Sequence, residues 1–97
     1  MTNQEMLDYV IKSIKLIRKQ KHISQIELCL RANMSQGFLT SLENGKQEPS
    51  TMTLIRIANA LEVNPRDFFP KELPDSQDND SVKNQMKKEI IEMIYRL

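Results

Sequence analysis

Glycine, cysteine and aromatic residues are scarce in this chain, and each shortage narrows its fold class. Of 97 residues only 2 are glycine, 1 is cysteine and none is tryptophan. Few glycines together with long aliphatic periodicities favour helices. A single cysteine cannot form a disulfide within the chain, which fits a reducing compartment. We therefore expect one small all-α domain with an aliphatic core and a cytoplasmic location.

Other absences narrow the function. No apolar run approaches the ~20 residues of a membrane span, and the N-terminus lacks a signal-peptide pattern. The sequence has no glycine-rich phosphate-binding loop and no metal-ligand spacing, so we expect no membrane, no cofactor and no enzyme activity. The net charge is only +1. Attraction to nucleic acid must therefore come from the local placement of charges.

The first half of the chain reads as short helices. Apolar residues at helical spacing predict a first helix over residues 5–21. Ser24 and Glu27 have capping-box spacing, which predicts that each satisfies the backbone N–H of the other at the start of a second helix. This helix runs to about Arg31, and Asn33 adopts the left-handed conformation that ends it.

Three further helices follow. Ser35 is the cap of a third helix, which runs to about Asn44 and stops before a glycine. Ser50 opens a fourth helix, and an Asn–Pro pair opens a short fifth helix over residues 65–69. Five short helices with a tight connection between the second and third have the layout of a helix-turn-helix domain.

The C-terminal part has a different composition. We assign residues 1–70 to the domain, residues 71–80 to a polar, proline-containing linker, and residues 81–97 to an additional helix. An isolated helix of this length is marginal in water, so its apolar stripe needs a partner. It can fold back on its own domain, pair with a second copy or bind another protein, and we favour a homodimer. The stripe consists of Val82, Met86, Ile90, Ile94 and Leu97.

The third helix has one apolar and one polar side. Phe38, Leu39 and Leu42 can anchor it to the domain, while small polar groups on the other side can reach base edges in a DNA major groove. The N-terminus of the second helix offers free N–H groups to a phosphate. The alternative is a solvated helix face. The predicted DNA-contacting set is Ser24, Gln25, Ser35, Gln36, Gly37, Thr40, Ser41, Asn44 and Lys46.

Residues 24–61, SQIELCLRANMSQGFLTSLENGKQEPSTMTLIRIANAL, resemble the helix-turn-helix of the phage-repressor-like regulators, the Cro and C1 or Xre type. The resemblance covers about residues 7–69. It implies a five-helix lambda-repressor-like fold and a dimeric, sequence-specific regulator of transcription. The most direct activity that it implies is repression through an inverted-repeat operator in double-stranded DNA. Cys29 and Asn33 depart from the family pattern, at the positions of an alanine and a glycine.

The resemblance also assigns roles to single residues. Gln36 lies where relatives often read a base, and glutamine can bond bidentately to adenine. Gln25 is expected to contact a phosphate and brace Gln36, and Asn44 and Lys46 to contact the next phosphates. Arg18 and Glu43 match positions that often form an ion pair.

Two questions of partnership stay open in the sequence. The family usually dimerises through its fifth helix, which makes Phe68 and Phe69 a rival surface to the C-terminal stripe. Ile26 and Leu30 are apolar where relatives are usually polar, and could receive that stripe or the start of the first helix. The alternative function is a protein-interaction adaptor, or the antitoxin of a toxin–antitoxin pair, which binds a protein partner through the C-terminal helix.

Overall fold

The computed structural model describes residues 1–71, and these contain helices but no strand. Four α-helices and one 3-10 helix follow in order: α1 (Asn3–Gln20), α2 (Gln25–Ala32), α3 (Gln36–Glu43), α4 (Thr51–Leu61) and the 3-10 helix (Pro65–Phe68). The predicted all-α helix-turn-helix fold is confirmed. The predicted linker beyond Lys71 and the predicted helix 81–97 lie outside the described residues.

A polar side chain caps the start of each of the five helices within residues 1–71, because the first backbone N–H groups of a helix lack internal partners. The caps are Thr2, Ser24, Ser35, Ser50 and Asn64. Thr2 and Glu5 form a reciprocal capping box, so α1 begins at Asn3, two residues earlier than predicted.

Only one half of the capping box predicted at α2 forms. The Ser24 hydroxyl accepts the Glu27 N–H at 3.0 Å, as expected. The Glu27 carboxylate accepts instead from Arg31 Nη2 at 2.6 Å, one turn further along the helix. The charged partner offers a stronger interaction than the neutral backbone amide.

The turn between α2 and α3 depends on Asn33 and on an arginine that the sequence did not reveal. Asn33 is left-handed, with φ 53° and ψ 56°, as predicted. From α4, the Arg56 guanidinium donates to the Ala32 carbonyl oxygen at 3.0 and 2.7 Å, and also to the Asn33 carbonyl. Arg56 therefore binds the free carbonyl end of α2 and ties the turn to α4.

The helices enclose one aliphatic core. α2 packs against α3 and α4, while α1 packs against α3, α4 and the 3-10 helix. Each fully buried aliphatic or aromatic side chain contributes roughly 1.5–3 kcal/mol of transfer free energy. The largest fully buried side chains are Ile14, Leu28, Leu39, Leu42, Ile57, Leu61 and Phe68.

The fifth predicted helix differs in type and in what it exposes. It is a single 3-10 turn, Pro65–Phe68, rather than an α-helix over 65–69. Phe68 is 0% exposed, whereas Phe69 is 39% exposed. The prediction that Phe68 contributes to an interface is therefore wrong, because its ring is fully buried in the core. Phe69 stays accessible to a partner.

Candidate nucleic-acid interface

A buried ion pair anchors the C-terminal end of α3 to α1. Arg18 Nε lies 2.9 Å from Glu43 Oε2, and Arg18 Nη2 lies 3.0 Å from Glu43 Oε1. The third guanidinium nitrogen donates to the Ile23 carbonyl at 2.9 Å. The two side chains are only 9% and 2% exposed. The pairing expected from the resemblance is thus present, in the two-pronged geometry that suits arginine and carboxylate.

The same carboxylate positions Gln25 at the start of α2. Gln25 Nε2 donates to Glu43 Oε1 at 3.0 Å. Gln25 Oε1 accepts from the Thr40 hydroxyl, at 3.4 Å. The expectation that Gln25 braces Gln36 is corrected: its amide is shared between Glu43 and Thr40, which lies one helical turn beyond Gln36.

The two sides of α3 differ as the sequence predicted. Leu39, Leu42 and Glu43 are buried, and Phe38 packs partly against the core. On the other side Gln36, Gly37 and Thr40 are exposed. The Gln25–Thr40 contact places the start of α2 beside this exposed side, so both elements contribute to one polar surface.

The remaining predicted DNA-contacting residues lie at the ends of α2 and α3. Ser24 and Ser35 are exposed caps, and Ser35 accepts the Phe38 N–H at 3.1 Å. Ser41 is half-buried in the last turns of α3, whereas Asn44 and Lys46 are exposed just beyond it. The Lys46 N–H donates to the Ser41 carbonyl at 2.8 Å, which folds the chain back over the end of α3.

The two glycines of the chain differ in whether the backbone conformation requires a glycine. Gly45 has φ +75°, a conformation that a side chain disfavours, so the turn after α3 requires it. At Gly37 an added Cβ atom would meet no heavy atom within 4 Å, and the backbone is helical. The domain itself therefore gives no reason for a glycine at residue 37.

Cys29 is part of the core rather than a reactive group. It is buried between α2 and its neighbours. Burial raises the pKa of the Cys29 thiol, the negative charge of Glu43 raises it further, and Arg18 acts in the opposite direction. The thiol therefore stays protonated at neutral pH, and the thiolate is the form that reacts.

Two of the places away from α3 where apolar side chains are exposed bear on the predicted partner surfaces. Ile26 and Leu30 on α2 are 58% and 78% exposed. Tyr9 and Phe69, at 41% and 39% exposure, line an open cleft of about 830 Å³ between α1 on one side and the 3-10 helix with the chain after it on the other. No other residue within 1–71 covers either site fully, so both are accessible to a partner.

Within residues 1–71 no helix has the length and apolar character required to cross a bilayer. The same residues hold no group of three or more histidine, cysteine or acidic side chains arranged for a metal ion.

Comparison with known proteins places these features in a family. The family described as Helix-turn-helix matches residues 14–68. The ImmF control region 10 kDa protein of Bacillus phage phi105 is 49% identical over 45 residues, which cover 46% of this chain and 50% of that protein. The immunity repressor protein of the same phage is 38% identical over 50 residues, which cover 52% of this chain and 35% of that protein. The chain therefore spans half or less of these two relatives.

The fold has a counterpart among solved structures. The restriction-modification controller protein C.AhdI from Aeromonas hydrophila superposes with a TM-score of 0.62 at 24% identity, covering 65% of this chain and 96% of that one. At this identity the likeness concerns the fold alone. The match over residues 14–68 includes the α2–turn–α3 unit, the Arg18–Glu43 pair and the polar side of α3. The chain belongs to the phage-repressor-like helix-turn-helix family of transcriptional regulators.

Proposed function

We propose that this chain is a sequence-specific DNA-binding repressor that inserts α3 into the major groove of an inverted-repeat operator. The observation that carries the proposal is the polar, exposed side of α3 on a helix whose opposite side is held by buried leucines and the Arg18–Glu43 pair. A rigidly held helix can place hydrogen-bonding groups against base edges with little loss of conformational entropy. One phage relative named as an immunity repressor and another named for the ImmF control region support the regulatory part of the proposal.

The proposal divides the polar surface into base-reading and phosphate-binding parts. Gln36 is exposed in the first turn of α3 and can bond two groups of an adenine edge. The start of α2 lies beside Thr40, one turn further along α3, and its first backbone N–H groups suit a phosphate. Lys46 supplies a positive charge beyond the other end of α3. Phosphate contacts on both sides would fix the register while α3 reads the sequence.

Dimerisation is the finer part of the proposal. One small domain covers a single half-site, and two copies related by a two-fold axis cover an inverted repeat. The Tyr9–Phe69 cleft offers apolar surface at the side of the domain where the chain continues past Lys71. The apolar stripe in residues 81–97 offers more, in a part of the chain outside the described residues.

The test is selection of bound duplexes from a random DNA pool at near-physiological salt, followed by binding titrations of the selected sequence. We expect an inverted repeat with half-sites about one helical turn apart. In Gln36→Ala we expect preference to be lost at one position of each half-site, with the other positions unchanged. Affinity should fall with a slope of ~0.9 log unit per log unit of salt for each phosphate neutralised.

The alternative, a protein-binding adaptor or antitoxin, gives different results. An adaptor selects no DNA sequence. If the tail binds a toxin, removal of residues 72–97 leaves the operator affinity of the protein unchanged. If the tail is needed for dimerisation, the same truncation lowers the operator affinity. Enrichment unaffected by Gln36→Ala would contradict the assignment of α3 as the recognition helix.

A further inference from the structure

We propose that Gln25 sets the base preference at Thr40, by holding the Thr40 hydroxyl proton toward the protein so that Thr40 offers only acceptor lone pairs to DNA. This inference rests on the proposed function, since it concerns what the polar side of α3 reads. The chain of contacts runs from the buried Arg18–Glu43 pair, through the Gln25 amide, to the Thr40 hydroxyl.

The first step fixes the orientation of the Gln25 amide. Glu43 is paired with Arg18 and only 2% exposed at its side chain. An ionised carboxylate accepts hydrogen bonds and donates none, so the Gln25 atom 3.0 Å from Glu43 Oε1 has to be the amide nitrogen. The flipped amide would set its oxygen against the carboxylate. The amide oxygen is therefore directed to Thr40.

The second step fixes the direction of the Thr40 hydroxyl. An amide oxygen also only accepts, and a hydroxyl has one proton. When Thr40 Oγ1 and Gln25 Oε1 form a hydrogen bond, the hydroxyl proton therefore points toward Gln25. The distance of 3.4 Å is longer than the usual 2.5–3.0 Å between hydroxyl and acceptor oxygens, so the contact biases the hydroxyl without locking it.

The third step connects this bias to base recognition. In the major groove adenine and cytosine present an amino group, whereas guanine and thymine present acceptors and no hydrogen-bond donor. A Thr40 hydroxyl that can only accept favours adenine and cytosine on the strand that it faces. From the net worth of one hydrogen bond we expect about a two- to tenfold preference over guanine and thymine.

The experiment compares duplex selection and four-way competition binding for the unmodified protein, Thr40→Val, Thr40→Ser and Gln25→Met. Thr40→Val, which loses the hydroxyl at nearly constant shape, identifies the half-site position that Thr40 faces. At that position we expect the unmodified protein and Thr40→Ser to group adenine with cytosine against guanine with thymine. In Gln25→Met the hydroxyl is free to rotate, and the discrimination should shrink to within about twofold.

A base analogue then identifies the strand. Replacing adenine at this position by purine, which lacks the amino group, should weaken binding of the unmodified protein by about two- to tenfold. The loss should be smaller in Gln25→Met, because in this variant the Thr40 hydroxyl is free to donate to a ring nitrogen of the purine instead. Gln36→Ala is the matched control: it removes another exposed group of α3 and leaves the Gln25 contacts intact, so its altered position must be a different one.

Several outcomes would overturn the inference. These are a grouping of purines against pyrimidines at the position marked by Thr40→Val, an undiminished preference in Gln25→Met, or no change anywhere in Thr40→Val. In all three the Gln36→Ala result can still support the proposed function. If the selection enriches no DNA sequence, both the inference and the proposed function are contradicted. If Gln25→Met does not fold, Gln25→Ala replaces it, since residue 25 is only half-buried.

Discussion

Residues 1–71 contain two arginine–glutamate pairs that are similar in distance and differ in burial. Arg31 and Glu27 approach to 2.6 Å within α2, with side chains 43% and 45% exposed. Arg18 and Glu43 approach to 2.9 Å between α1 and α3, with side chains 9% and 2% exposed. The shorter pair is the less important one, because water and ions can replace either partner of an exposed pair.

Burial makes the second pair depend on all its partners. Arg18 binds Glu43 and the Ile23 carbonyl, while Glu43 also binds Gln25. Taking two charges out of water is costly, and these contacts offset that cost only as a set. The buried pair therefore links three elements and the polar surface. The exposed pair spans one turn of α2, and Arg31 also donates to the Ala60 carbonyl of α4 at 3.4 Å.

The largest expected effect is on the buried side. Glu43→Ala leaves the Arg18 charge buried without its partner, and we expect it to lower the free energy of unfolding by about 3–5 kcal/mol. Urea denaturation followed by circular dichroism measures the change.

A double variant shows how much of that loss is due to the stranded charge. Arg18→Met with Glu43→Leu removes both charges and keeps apolar volume, so we expect it to be more stable than Glu43→Ala alone. A loss below about 1 kcal/mol in Glu43→Ala would mean that the pair behaves like an exposed one.

An intermediate effect is expected at the exposed side of α3. Gly37→Ala should raise the free energy of unfolding by up to about 1 kcal/mol, because alanine favours the helix and its Cβ meets no atom of the domain. Thermal denaturation measures this gain.

Operator binding by the same variant gives a second result. Weaker binding by a more stable protein would mean that DNA approaches α3 closely at residue 37. Gly45→Ala is the matched control and should lose stability, since its φ of +75° disfavours a side chain. Equal losses in both variants would contradict the structural difference between the two glycines.

The smallest expected effect is on the exposed pair. Glu27→Ala should change the free energy of unfolding by no more than about 0.5 kcal/mol, and added salt should reduce the change further. Urea denaturation at low and high salt tests this. Glu27→Gln keeps the shape and removes the charge, so it separates the ion pair from packing. A change above about 1 kcal/mol would place Glu27 in a larger network.

Local features of the fold were predictable because their causes lie within a few residues. Ser24, Ser35 and Ser50 begin helices since their hydroxyls accept nearby backbone N–H groups. Asn33 ends α2 because asparagine tolerates the left-handed conformation. Such contacts span three or four positions and leave a readable spacing.

Contacts between residues far apart in the sequence are not marked by any short sequence pattern. The Arg18–Glu43 pair joins positions 25 residues apart, and only the resemblance to a family pointed to it. No local pattern marked Arg56, yet it binds carbonyls at the end of α2. The partner of Gln25 was misassigned because sequence alone does not tell which turn of α3 lies beside α2.

The Phe68–Phe69 pair shows an error that geometry could have prevented. Successive helical side chains point about 100° apart, so two adjacent phenylalanines seldom share one face. We would therefore expect one of the two phenylalanine rings to lie in the core and the other to lie outside it. The sequence contained no sign of which ring would be buried, because that depends on how the 3-10 helix meets α1.

The contact between α1 and the 3-10 helix also bears on the order in which the domain can be completed during translation. α1 leaves the ribosome before the rest of the domain, and Phe68, which packs in the same core, follows on the order of seconds later at usual rates of synthesis. Until then part of the apolar side of α1 has no cover. A chain that stalls before Phe68 would expose this surface and become a substrate for chaperones and proteases.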